Sequence, residues 1–148
     1  MQTTESFTLI SGQKTIYAKI QEMISNATHE IILITTHLDA ARMASKSDIM
    51  EIIQKKRRQG LHVSIIVESP MPFHYDNLNH MMDCIFYADL PSQTRTIVEE
   101  KSSTIFSRGI ESSELDSIVY TQISELVQNM WFFAQKILES AKPVLVKR

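Results

Sequence analysis

The sequence has few of the residues on which several large protein classes depend. Among 148 residues there is one cysteine, Cys84, and only three glycines. A single cysteine cannot form an intrachain disulfide and argues against a structural zinc cluster, so we expect a reducing, intracellular setting. Neither of the glycine-rich phosphate-binding motifs, G-x-G-x-x-G and G-x-x-x-x-G-K-[ST], occurs. Their absence disfavours Rossmann and P-loop chemistry.

Signals for export, membrane insertion and metal binding are also missing from the sequence. No apolar run approaches the roughly 18–20 residues that a bilayer-spanning helix needs, and no signal peptide is recognisable. The net charge of -2 gives no general attraction to nucleic acid or to a membrane. The five histidines show no metal-binding spacing. We therefore expect a single domain over residues 1–148 in the cytoplasm, without a metal or another cofactor.

Hydrophobic periodicity predicts the main elements. Apolar residues at helical spacing predict helices over Gln13–Asn26, about Ala40–Gln59 and about Gln122–Ala141. Continuous apolar runs predict strands buried on both faces at Ile31–Ile34 and Leu61–Val67, which should be parallel because a helix separates them. Weaker signals predict an edge strand or a loose segment within residues 1–11, a short helix at Asn77–Met82, and strands at Cys84–Ala88 and within Asp116–Thr121.

A β-hairpin is predicted within Gln93–Arg108. Its strands are Arg95–Glu99 and Thr104–Ser107, and its turn is the polar segment Glu100–Ser103. The resulting order, β-α-β-α-β-β-β-α, predicts an α/β domain with a mixed sheet, helices on its faces and a long C-terminal helix.

Polar side chains follow the two predicted parallel strands, where ligands of α/β proteins usually bind. Their hydroxyls, imidazole and carboxylates suit a small polar ligand such as a sugar, and Arg95 or Arg108 would add an anion contact. An alternative is that Thr36 or Asp39 only caps the second helix, and the two interpretations are compatible. The predicted ligand-binding residues are Thr35, Thr36, His37, Glu68, Ser69, Arg95 and Arg108.

Two further features have a functional and a purely structural interpretation. The basic run Lys55–Arg58 would contact phosphates, but we favour cations that complement the end of a helix and face water. The apolar stripe of the C-terminal helix, widened by Phe132, predicts a homodimer through this helix. The alternative is that the helix over residues 13–26 covers the whole stripe.

Several segments, in this order, resemble a known family. They are Gly12–Ile31 (G-x-x-x-I-Y-x-x-I-x-x-M-I-x-x-A-x-x-E-I), Arg57–Ile66 (R-x-Q-G-L-H-V-x-I-I), the hairpin, and the I-V-Y-T and L-V-x-x-M-W-F-F-A runs within Ile118–Ala134. Together they resemble one half of the phospholipase D-like fold and, more specifically, the C-terminal domain of TrmB-type archaeal transcriptional regulators. The resemblance implies an effector-sensing and dimerisation domain. In that family a winged-helix DNA-binding domain precedes it, which this chain lacks, so DNA contact is expected only through a domain outside this chain.

The resemblance also bears on catalysis. Phospholipase D-like enzymes share H-x-K-x4-D at the start of this hairpin, with the histidine as the nucleophile. Here the frame is Gln93-x-Arg95-x4-Glu100. Glutamine cannot be the nucleophile, so we predict that the chain is not an enzyme, although Arg95 would still bind a phosphate or carboxylate with Glu100 orienting it. The alternatives are that these residues are ordinary strand ends, or that the chain is a phosphodiesterase or nuclease with an altered active site.

Overall fold

The computed structural model describes residues 7–68, 83–90, 95–108 and 117–144. These residues form eight strands and four helices. The strands are β1 (Phe7–Ser11), β2 (Glu30–Ile34), β3 (His62–Val67), β4 (Ile85–Tyr87), β5 (Thr96–Glu99), β6 (Ser103–Arg108), β7 (Ser117–Thr121) and β8 (Lys142–Pro143). The helices are α1 (Gln13–Asn26), α2 (His37–Ala44), α3 (Ser47–Arg58) and α4 (Ser124–Ser140).

All eight strands join one mixed sheet in the order β1-β7-β6-β5-β2-β3-β4-β8. The neighbours β2, β3 and β4 are parallel, and the remaining pairs are antiparallel. The predicted parallel pair and the predicted hairpin of β5 and β6 are both confirmed. Strand β1 is an edge strand, as one of the two interpretations of residues 1–11 required.

The sheet is covered by helices on both faces. On one face, Ile31 and Leu33 of β2 pack in a core with α1, α2 and α3. On the other face, Ile32 and Ile34 pack with α4. The continuous apolar run in β2 is therefore buried on both sides, as predicted. The suggestion that α1 covers the stripe of α4 is wrong, because the sheet separates the two helices.

The single helix predicted over residues 40–59 is wrong, because the structure has two helices there. The first begins at His37, since the Thr36 hydroxyl accepts a hydrogen bond from the Asp39 amide at 3.1 Å and caps it. The chain then breaks at Ser45, whose hydroxyl donates to the Arg42 carbonyl at 2.7 Å, and at Lys46, whose backbone is extended. Serine favours such local bonds over helix continuation, and periodicity does not detect them.

The end of α3 sets the direction of β3. Gly60 adopts a positive φ of 102°, a conformation that glycine accepts without strain. Its amide donates to the Arg57 carbonyl at 3.0 Å, and the Leu61 amide donates to the Lys56 carbonyl at 2.9 Å. The predicted stop at Gly60 is therefore confirmed, whereas the helix predicted at 77–82 lies outside the described residues.

Candidate functional site

The candidate site lies where β2 and β3 end and β5 begins. Strand β5 runs antiparallel to β2, with Thr96 beside Ile34, so the residue before β5 meets the residues after β2. Thr35 and Arg95 consequently lie at the same end of the central strands, and Glu68 follows the parallel strand β3 at that end. The topology brings together most of the polar residues that the sequence predicted as neighbours.

A buried ion pair between Arg95 and Asp39 is the centre of this edge. Both side chains are fully buried. Arg95 donates from Nε to Asp39 Oδ2 at 2.8 Å and from Nη2 to Oδ1 at 2.7 Å. This is the bidentate geometry in which guanidinium and carboxylate interact most strongly. Arg95 therefore holds a carboxylate of its own chain.

Two hydroxyl groups complete the set of donors to Asp39. Tyr17 of α1 donates to Oδ1 at 2.5 Å, and Thr35 donates to Oδ2 at 2.6 Å. The Arg95 guanidinium carbon also lies 5.6 Å from the centre of the Tyr17 ring, within the range of a cation–π contact. Each carboxylate oxygen thus accepts two hydrogen bonds, as a buried charge requires.

The protonation of this cluster follows from its contacts. Burial by itself would raise the pKa of Asp39, but the Arg95 guanidinium and the Thr35 and Tyr17 hydroxyls hold that pKa below its ordinary value. Burial and the nearby Asp39 carboxylate both raise the pKa of Tyr17. At neutral pH the cluster is therefore a salt bridge with a neutral tyrosine that donates its proton to the carboxylate.

A second, more accessible layer consists of His37 and Glu68. Glu68 Oε1 accepts a hydrogen bond from the His37 amide at 2.7 Å, and Glu68 Oε2 lies 3.1 Å from His37 Nδ1. Their side chains are 24% and 22% exposed, in contrast to the closed Arg95–Asp39 pair. The amide contact fixes the carboxylate at the first turn of α2, where the helix dipole favours negative charge. A ligand at this edge would meet these two groups first.

The seven predicted ligand-binding residues fall into three groups. Thr35 and Arg95 belong to the buried cluster, and Thr36 caps α2. His37 and Glu68 form the accessible pair. Ser69 lies outside the described residues, and of Arg108 only the backbone, at the same edge of the sheet, is described.

The prediction that Glu100 orients Arg95 is wrong. Glu100 follows β5, whereas Arg95 precedes it, so the two residues lie at opposite ends of this strand. The Glu100 carboxylate instead accepts bonds from the amides of Thr28 and His29, at 3.1 and 3.2 Å, and from the Thr28 hydroxyl. The Thr28 hydroxyl, the His29 ring at 2.9 Å and the Thr28 amide together lower the pKa of Glu100 to about 2. Its role is to tie the hairpin turn to the loop before β2.

Sequence reasoning left two members of the buried cluster out of the predicted site. Tyr17 was assigned only to the apolar stripe of α1, and Asp39 was considered mainly as a cap. The available signal was the hydroxyl of Tyr17, because a buried tyrosine hydroxyl usually has a hydrogen-bond partner. The identity of that partner, 22 residues away, depends on the fold.

Two other features of the described residues do not contribute to this site. A cavity of about 700 Å³ is an open groove beyond the end of α3, where Arg57 donates to Asp83 at 2.6 Å. Burial raises the pKa of Cys84, which lines that groove, to about 11, so its thiol is unreactive.

No group of three histidine, cysteine or acidic side chains placed to hold a metal occurs in the described ranges. Nor does any helix in those ranges have the length and apolarity to cross a bilayer.

Comparison with solved structures decides the fold. NucT from Helicobacter pylori superposes with a TM-score of 0.67 at 14% identity, covering 93% of this chain and 98% of that chain. Nuc from Salmonella typhimurium, a phospholipase D family member, gives 0.63 at 12% identity, with 93% and 96% covered. This chain has the phospholipase D-like fold. No family model and no curated protein matches the sequence.

An archaeal chromatin protein shares the same fold. TrmBL2, an archaeal chromatin protein with a novel mode of DNA binding, superposes with a TM-score of 0.64 at 14% identity. The match covers 97% of this chain but only 56% of TrmBL2. All these identities are too low to indicate more than a common phospholipase D-like fold.

Proposed function

We propose that this chain is the non-catalytic effector-sensing and dimerisation domain of a TrmB-type transcriptional regulator. It binds a small polar molecule, such as a sugar, at the edge formed by the ends of β2 and β3. The observation that carries the proposal is the closed Arg95–Asp39 pair, because Arg95 occupies the position of the catalytic lysine in the resemblance. Such a regulator acts in the cytoplasm, and its DNA contact belongs to a domain outside this chain.

The absence of catalysis rests on chemistry at two positions. Gln93 stands where phospholipase D-like enzymes have their nucleophilic histidine, and an amide nitrogen is not a nucleophile. Arg95 already donates two hydrogen bonds to Asp39 in a fully buried pair. A phosphate would have to displace that carboxylate, leaving a buried negative charge without its cation at a cost of about 3–5 kcal/mol.

Effector binding is supported by the accessible pair. The Glu68 carboxylate accepts hydrogen bonds and the His37 imidazole donates or accepts, which suits the hydroxyl groups of a sugar. Both residues stand on the rigid edge of the sheet, above a cluster whose hydrogen bonds are complete. Rigid support of this kind lowers the entropic cost of binding.

A thermal-shift screen of sugars and other polar metabolites tests the effector site. We expect a stabilising compound whose effect is lost in Glu68→Gln and His37→Gln and retained in Glu139→Gln, a control on the exposed surface of α4. A compound that stabilises all three variants equally binds elsewhere. The absence of any stabilising compound in a broad panel would remove the support for effector sensing.

Dimerisation is supported by apolar side chains that the described residues leave uncovered. On α4, Phe132 is 64% exposed and Phe133 is 39% exposed. On β1, Phe7 and Leu9 are also exposed, and they alternate with Ile10, which packs in the core beside α1. They therefore lie on the α4 side of the sheet. A second copy of the chain would cover apolar groups on both elements.

Sedimentation analysis tests this interface. We expect a dimer in the parent protein and a monomer in the double variant Phe132→Glu/Phe133→Glu. Lys55→Glu, an exposed change on α3 at the other face of the sheet, is the control and should remain dimeric. A monomeric parent, or a double variant that dimerises as tightly as the parent, would contradict the proposed interface.

A second candidate function is a phosphodiesterase or nuclease with an altered active site. The observation that favours it is the Glu68 carboxylate beside the His37 ring, an arrangement that orients a catalytic imidazole in many enzymes. The test is hydrolysis of bis-p-nitrophenyl phosphate and of single-stranded DNA by the parent, His37→Ala and Glu68→Gln. Turnover that both variants abolish would replace the sensor proposal, whereas no turnover by the parent excludes this candidate for these substrates.

A further inference from the structure

A polar cavity lies at the end of β5, whereas the candidate site lies at the beginning of that strand. It occupies about 300 Å³ between the end of α1, the turn after β5 and the end of β7. Its volume is at the lower end of the range for small-molecule sites. The polar groups that line it include Glu22, Asn26, Glu99, Ser102, Tyr120 and Gln122.

Glu99 is the unusual member of this lining because it is a buried carboxylate with one unsatisfied oxygen. The residue is only 3% exposed. Its Oε1 accepts a hydrogen bond from the Ser102 hydroxyl at 2.8 Å, but its Oε2 has no hydrogen-bond partner among the described residues. Burying such an oxygen without a donor is costly, and most buried polar atoms in proteins are satisfied.

The position of Glu99 in β5 explains why it faces this cavity. Ile97 packs in the core beneath α1, so alternation along the strand places Glu99 on the same face. There it meets the last turns of α1, where Met23 is buried and also lines the cavity. The strand therefore directs the carboxylate to the α1 face, where the Ser102 hydroxyl holds one of its two oxygens.

The nearby cations do not satisfy Glu99. Lys19 pairs with Glu22 at 2.5 Å and lies 4.3 Å from the centre of the Tyr120 ring. Lys101 lines the cavity but is exposed, and its ammonium group makes no ion pair with Glu99. Lys19 thus engages both Glu22 and the Tyr120 ring, whereas the buried Glu99 carboxylate keeps one oxygen without a hydrogen-bond partner among the described residues.

We propose that this cavity binds a small organic ammonium compound, the class that includes diamines and basic amino acids. An N–H group of the ligand donates to Glu99 Oε2. The side-chain amide oxygens of Asn26 and Gln122 are available acceptors for the remaining N–H groups. The site is separate from the His37–Glu68 edge and does not depend on the proposed sensor function.

Nuclear magnetic resonance titration with 1,4-diaminobutane tests the proposal, with 1,4-butanediol as a neutral probe of the same length. In a potassium chloride buffer, we expect the diamine to shift the amide resonances of Ser102, Tyr120 and Asn26, and the diol to leave them unchanged. Arginine is a second cationic probe. Equal shifts with diamine and diol, or no shifts at these amides with either cation at millimolar concentration, would overturn the proposal.

Two variants test whether the Glu99 carboxylate is the group that binds the diamine. Glu99→Gln should weaken diamine binding by about tenfold or more, because a neutral amide replaces the buried charge. Glu100→Gln is the matched control, since this neighbouring carboxylate binds Thr28 and His29 outside the cavity. If both variants weaken binding equally, the diamine responds only to general negative charge and the site is refuted. The parent titration stands as a test even if Glu99→Gln does not fold.

Discussion

The carboxylates buried at the two ends of β5 differ in how fully their oxygens are hydrogen-bonded. At its beginning, the Asp39 carboxylate accepts two bonds from Arg95, one from Tyr17 and one from Thr35, and both charges are closed off. At its end, Glu99 accepts one bond from Ser102 and lines a cavity, and its second oxygen is buried without a hydrogen-bond partner among the described residues. The same helix, α1, covers both ends. The comparison teaches that burial alone does not indicate function, whereas burial with an unmet hydrogen bond suggests a ligand.

Breaking the Arg95–Asp39 pair should have the largest effect on stability. Arg95→Met leaves Asp39 buried without its cation, and we expect a loss of about 3–5 kcal/mol in the free energy of unfolding. Urea unfolding measures this loss. The double variant Arg95→Met/Asp39→Asn removes both charges and keeps one oxygen acceptor for the Tyr17 and Thr35 hydroxyls, so it should recover part of the loss. A loss below about 1 kcal/mol in the single variant would mean that the ion pair behaves like an exposed one and is not buried.

Removing one hydroxyl from the same cluster should have an intermediate effect. Tyr17→Phe deletes a hydrogen bond to a charged carboxylate, for which we expect a loss of about 1.5–3 kcal/mol by urea unfolding. Tyr120→Phe is the matched control at the other end, because the Tyr120 hydroxyl makes no hydrogen bond among the described residues. Equal losses of stability in the two variants would contradict the inferred difference in hydrogen bonding between the two tyrosine hydroxyls.

Neutralising the carboxylate at the open end should have the opposite sign. Glu99→Gln keeps an oxygen for the Ser102 hydroxyl and removes an uncompensated buried charge. We expect stability to stay the same or to rise by up to about 1 kcal/mol in the absence of any ammonium ligand. Differential scanning calorimetry in a potassium buffer checks this. A large loss would show that Glu99 has a stabilising partner in the free protein.

The smallest effect concerns the pH dependence contributed by Glu100. Its pKa in the folded protein is about 2, against an ordinary value of 4.5. This carboxylate therefore stabilises the fold above pH 4.5, and its contribution is lost as the pH falls from 4.5 toward 2. The Glu100→Gln variant should lose less stability than the parent across this window, by a modest amount because solvent screens the exposed group. Parallel urea titrations that lose stability equally would contradict the assignment.

Prediction succeeded where local pattern and burial coincide. The bounds of α1 agree with the prediction because its apolar residues recur at helical spacing and pack on one face. The parallel pair of β2 and β3 follows from two continuous apolar runs around helical segments. The boundary between α2 and α3 was missed because it depends on a hydrogen bond of Ser45, which leaves the hydrophobic pattern intact.

The candidate site was predictable in position but not in connectivity. The sequence indicated that polar residues gather where β2 and β3 end, and the structure places Thr35, His37, Glu68 and Arg95 there. It did not indicate that Arg95 would bind Asp39, 56 residues earlier in the chain. The pairing depends on β5 joining the sheet beside β2, a long-range contact that no local pattern encodes.

By itself, the sequence determined most of the helical and strand segments, which faces are apolar, and that glutamine replaces the nucleophile of the motif it resembles. These properties follow from side-chain chemistry at fixed spacings along the chain. Only the tertiary structure decided that Arg95 is paired with Asp39, whereas Glu99 Oε2 has no hydrogen-bond partner in the described part of the chain. Both outcomes depend on contacts between residues that are distant in sequence. The same strand thus carries a completed ion pair at one end and an unfilled hydrogen bond at the other.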